Sequence, residues 1–290
     1  MVERLQTKEN KNTRDNQRRL NSESNENNLT YCSKSDSELN ESNLAYCSKF
    51  NLDTNESSLA YCSKSDLESN ESNLAYQRQS DSKTNMRCLE YYRQLNSKSD
   101  KEYIEMFLIY ALATLISGVK PGTTVTIKKN KRVLYESWSQ YGGEFLESIG
   151  LKYIYLRETE SCLVVMIYDE ESIMKCVSTM EHKEFLSKLG YKGLEVDDYI
   201  SRLKDRYERY HCPHELGLFL GIPIEDVKAF MDCSEQKCLM CGYWKVYYNR
   251  ETAEELFRKY DMVRDFAIEN LIIGNNSVSI VNCIRENFIN

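Results

Sequence analysis

Between His211 and Tyr247 the chain gathers two of its three histidines, four of its eleven cysteines and one of its two tryptophans, so chemistry is concentrated there. Cys238 and Cys241, with two residues between them and followed by Gly242, have the spacing of a zinc knuckle, in which a tight turn aims two thiolates at one ion. A tetrahedral site needs two more ligands, and Cys233, His211, Cys212 and His214 are the donors upstream. Mixed Cys and His ligands suit zinc or iron. The candidate metal set is therefore Cys238, Cys241, His214, His211 and Cys233, with Lys245 as an anion contact on the following strand.

Other readings of the same residues stay open. A redox dithiol of the thioredoxin type wants its first Cys at a helix N-terminus, whereas this pair precedes an expected strand. The cysteines would also serve as small apolar packing groups beside Trp244. His214 is a ligand or a general base assisted by Glu215, or else the two residues only cap and dock the helix that Pro213 opens. No second histidine stands four residues beyond His214, so the zincin pattern is absent. The chain carries no Gly-rich phosphate loop, no Gly-x-Ser-x-Gly elbow and no paired-Asp metal signature, and no catalytic residue is assigned.

The segment Glu215 to Met231 also has the outline of a helix-turn-helix, with Gly217 at a close-packing position and Gly221 at the turn. Its second helix opens on Glu225 and Asp226, which would face phosphates, so a DNA-binding regulator is disfavoured. Two helices packed through a tight glycine turn is the better reading.

These residues need a scaffold, and the sequence from residue 99 onward supplies one. Ser99 and Glu102 form a capping box that opens a helix through Met106, Phe107, Ile109 and Ile116. Thr123 to Ile127 reads as a β-branched strand, and Leu134, Trp138, Tyr141, Phe145 and Ile149 fall on one helical face. Tyr153 to Arg157 and Cys162 to Tyr168 make a hairpin whose second strand, apolar almost throughout, belongs at the centre of a sheet. Helices are expected at about 170–177, 181–189, 195–210, 214–220, 224–231 and 252–260, with a strand at 242–248. The fold class is thus α+β: a small, mostly antiparallel sheet of about four strands with surrounding helices, over residues 99–270. Residues 271–290 form a tail, with Ser277 to Cys283 a further strand.

Residues 1–98 are different in kind. A unit recurs every fifteen residues, at Leu29-Thr-Tyr31-Cys32, Leu44-Ala-Tyr46-Cys47, Leu59-Ala-Tyr61-Cys62, Leu74-Ala-Tyr76 and a decayed Leu89-Glu-Tyr91. Fifteen residues overshoot a whole number of helical turns by about 60°, so Leu and Tyr spiral instead of forming a stripe. The Ser-, Asn- and Glu-rich spacers bury too little apolar surface to offset about 1–2 kcal/mol per ordered residue, and disorder is the expectation.

The net charge is -7, about -2 of it before residue 101 and -5 after, which disfavours nucleic-acid partners. The longest apolar run, Met106 to Ile116, is too short to span a bilayer, and the N-terminus lacks a secretory core, so the expected location is the cytoplasm, without a membrane partner. Cysteines there are thiols or metal ligands.

At His214-Glu-Leu-Gly-Leu-Phe-Leu-Gly-Ile-Pro-Ile-Glu-Asp-Val and Cys241-Gly-Tyr-Trp-Lys-Val-Tyr247 the sequence resembles a clostridial family catalogued as domain of unknown function 3793. The resemblance extends back to about residue 101 and forward to Tyr260, with the repeats and the tail after about 270 outside it. It implies no established activity. It does imply an anaerobic bacterial setting linked to iron or redox metabolism, with a flavodoxin-like redox protein as partner. The reading that follows is a cytosolic binding or accessory protein with a Cys/His site for zinc or iron; the alternative is an interaction module for a redox partner, its cysteines purely structural.

Overall fold

A computed structural model of the chain describes residues 82–232 and 237–289. The first element, α1 (Ser82–Leu95), falls inside the segment expected to lack a fixed fold, and the boundary near residue 98 is corrected accordingly. Tyr91 and Leu95 of α1 are buried in the main core, and the Tyr91 hydroxyl donates to the Met106 carbonyl at 3.3 Å. The other four repeat copies lie outside the described residues.

The chain continues through α2 (Asp100–Ala111), opened by the Ser99–Glu102 capping box, and α3 (Ala113–Ile116). Strand β1 (Gly122–Lys128) follows. The single helix expected over 134–149 is instead α4 (Arg132–Ser137), a π-helical turn at Trp138–Gly142, and α5 (Gly143–Ser148). Trp138 lies against Gly142 so closely that a Cβ there would stand 2.5 Å from the indole, which accounts for glycine at that position.

Strands β2 (Lys152–Glu158) and β3 (Cys162–Tyr168) form the expected hairpin, and β1 pairs with β3 on its other side. The main sheet is antiparallel with order β1-β3-β2 and has three strands, not about four. Because side chains alternate along β3, it feeds two cores. Leu163, Val165 and Ile167 pack with α2, α4 and α5 on one face. Val164, Met166 and Tyr168 pack on the other.

That second face is covered by α6 (Glu170–Val177), α7 (Met180–Lys188), α8 (Val196–Tyr210), α9 (Leu216–Phe219) and α10 (Ile224–Met231). The strand expected at 242–248 is reduced to a two-residue ladder, β4 (Met240–Cys241) with β5 (Lys245–Val246), separate from the main sheet. The helix expected over 252–260 is far longer, α11 (Arg250–Ile273). The tail strand is corrected to a helix, α12 (Ser277–Phe288), capped by Asn276, with Ile280, Val281 and Ile284 buried at helical spacing.

Candidate functional site

The candidate residues are placed by the end of α8, by the α9–α10 pair and by the β4–β5 hairpin. Helix α8 stops at His211, whose φ of 63° turns the chain sharply and whose carbonyl accepts from Arg157 Nη2 at 2.8 Å. The His211 side chain is exposed. Gly221 takes a φ of 81° at the turn between α9 and α10, and a Cβ on Gly217 would meet Val227 at 2.9 Å. The tight glycine-turn packing read from the sequence is what the structure contains.

Glu215 is fully buried, and its Oε1 accepts from the Tyr191 hydroxyl at 3.1 Å and from Arg206 Nε. Burial, then the neighbouring Glu215 charge, pushes the Tyr191 hydroxyl well above its ordinary pKa. Both oxygens of Glu215 are buried, and Oε2 has no hydrogen-bond partner among the described residues. A carboxylate tied to a buried guanidinium holds the loop after α8 to the core. The docking reading of Glu215 is the one its contacts favour.

Asp226, in the first turn of α10, has an equally structural role that the sequence did not reveal. Its Oδ2 accepts from Trp244 Nε1 at 2.7 Å, and its Oδ1 accepts from the backbone N–H groups of Tyr247 and Tyr248 at 2.8 and 2.9 Å. One buried carboxylate therefore fastens the hairpin segment Cys241 to Tyr247 onto the segment His214 to Val227. Acidic residues at a helix start look like dipole partners in a sequence, and nothing in the spacing points to a tryptophan eighteen residues on.

His214 lines a cleft of about 30 Å³ with Cys212, Phe230, Trp244 and Lys245. The imidazole stands edge-on to the Phe230 ring, with centroids 4.9 Å apart. Burial lowers its pKa, opposed by the nearby Glu215 charge.

The thiols of Cys238 and Cys241 are 3.5 Å apart, and Cys238 Sγ also donates to the Met240 carbonyl at 2.9 Å. Both residues are half-buried. Gly242 packs against Phe257 with no space for a Cβ, which would lie 2.2 Å from the ring. Cys241 pairs with Lys245 across the ladder, so the thiol pair and the cleft share one hairpin. Cys233 lies outside the described residues. Among the described residues, no three His, Cys, Asp or Glu side chains converge as a complete metal set would, so His211 and His214 do not close a site around the pair.

Two further groups were not found in the sequence. His182 Nδ1 sits 2.6 Å from the Cys176 carbonyl and 3.9 Å from its thiol, but that thiol donates to the Leu218 carbonyl and burial raises its pKa, so this is no nucleophilic dyad. Lys120 is buried with its ammonium 4.4 Å from the Tyr260 ring centroid. Burial, and then the Arg264 charge, lower its pKa to about 7.

Among the described residues no helix is long and apolar enough to cross a membrane. A family model described as a protein of unknown function, DUF3793, matches residues 108–281. The match runs past Tyr260, so α11 and the start of α12, expected to lie partly outside the family region, fall within it. No curated protein and no solved structure matches the chain.

Proposed function

The chain belongs to the DUF3793 family, and within it we propose that this protein is a metal-binding accessory protein holding zinc or iron on the thiolates of Cys238 and Cys241. The observation that carries the reading is the 3.5 Å separation of the two sulfurs on the hairpin. Two thiolates at about 2.3 Å from one tetrahedral ion stand about 3.8 Å apart, so little rearrangement is needed to bind it. Loss of the two thiol protons on binding supplies the charge that neutralises the ion.

A further ligand is proposed from Cys233, five residues ahead of Cys238. Thiolate-rich donors suit zinc or iron–sulfur chemistry, which is the support for a role in iron or redox metabolism. Glu215 and Asp226 are engaged in holding the fold, so the proposal assigns no general base and reads the protein as a binding protein. DNA is not proposed as a partner, because the first turn of α10 presents Glu225 while Asp226 points into the protein.

The test is elemental analysis of untagged protein purified anaerobically. One equivalent of zinc or iron is expected, falling at least tenfold in the Cys238→Ser, Cys241→Ser double variant. Fully folded protein without bound metal would overturn the reading.

A further inference from the structure

We infer that Cys238 and Cys241 are also a reversible modification site, a dithiol that a low-molecular-weight disulfide oxidises, and that its closure expels the bound ion. Only the expulsion rests on the metal reading above. The geometry for closure is in place: the sulfurs at 3.5 Å need to approach by about 1.5 Å to reach a disulfide bond length of about 2.05 Å. Both residues are half-buried, which leaves a path for a small reactant.

The Cys241 end of the pair is held in place by the hairpin. Cys241 is in the ladder opposite Lys245, and Gly242 behind it donates to the Trp244 carbonyl at 3.0 Å while packed on Phe257. Cys238 precedes β4, and the neighbouring ladder bond, from Leu239 N–H to the Val246 carbonyl at 2.7 Å, does not involve it. Closure requires the Cys238 thiol to give up its bond to the Met240 carbonyl, which is not a bond of the ladder.

The exchange balances without any further reactant. One protein thiolate attacks a sulfur of the small disulfide, breaking that S–S bond and releasing one thiol, and a mixed disulfide forms. The second protein thiolate then attacks the protein sulfur and expels the other half as a second thiol. Two protein thiols are oxidised, one small disulfide is reduced, and the two thiol protons end on the released thiols. A disulfide has no thiolate charge to offer an ion, so the ligand pair is lost in the same step.

The experiment treats the reduced full chain with oxidised glutathione, blocks remaining thiols by alkylation, and maps peptides. The expected result is a Cys238–Cys241 cross-link formed before the other nine of the eleven cysteines react. At least one of Cys238→Ser and Cys241→Ser should stop at a glutathione adduct on the remaining sulfur. Zinc-loaded protein should release one zinc per cross-link to a chromogenic chelator. A pair that stays reduced while other cysteines oxidise would overturn the inference and leave the metal reading standing. A cross-link formed in protein that never holds metal would support the dithiol site and remove both the expulsion and the metal reading.

Discussion

At the scale of single residues, the two motif-like segments turn out to be fastened by carboxylates. Asp226 satisfies an indole N–H and two backbone N–H groups at once. Replacing it by Ala leaves the Trp244 Nε1–H without its acceptor in a buried setting, and urea unfolding should show a loss of about 3 kcal/mol, against about 1–2 kcal/mol for Trp244→Phe, which leaves Asp226 two donors. Equal losses for the two variants would deny the central role of the carboxylate. His214 gives a pH prediction. Its folded pKa lies below the ordinary 6.5 because of burial, so the unfolded chain binds the proton more readily, and stability falls as pH drops below about 6.5. His214→Gln should lose less stability than wild type between pH 7 and 5. The candidate residues were legible in the sequence as candidates, because Cys-x-x-Cys-Gly and Pro-His-Glu are local patterns. Their partners were not, since Tyr191 with Glu215 and Asp226 with Trp244 meet only through tertiary packing.

At the scale of elements, local rules placed what local rules govern. The capping box at Ser99 and the uninterrupted apolar strand Cys162–Tyr168 are where the sequence put them. Errors arose where packing decides. Ser277 to Cys283 looks β-branched, yet Ile280, Val281 and Ile284 pack on one face of a helix. The fifth repeat copy was read with the others, and its Leu89 and Tyr91 lie on opposite sides of α1, one 68% exposed and the other 0%. Tyr91→Ala should therefore cost about 3–4 kcal/mol in thermal or urea unfolding, and Leu89→Ala less than about 0.5 kcal/mol. Similar effects for the two would place α1 off the core.

At the scale of the molecule, one three-stranded sheet buries both faces, and the small β4–β5 hairpin stands apart from it, held by Trp244, Phe257 and Asp226. The proposed binding and oxidation at the thiol pair would leave the two main cores undisturbed. The most direct measurement of the metal assignment is a cobalt(II) titration of the reduced, folded chain followed by absorption. The account predicts a thiolate-to-cobalt charge-transfer band that saturates at one equivalent, is displaced by zinc, and is absent from the Cys238→Ser, Cys241→Ser variant. No such band in reduced protein with wild-type circular dichroism would contradict it.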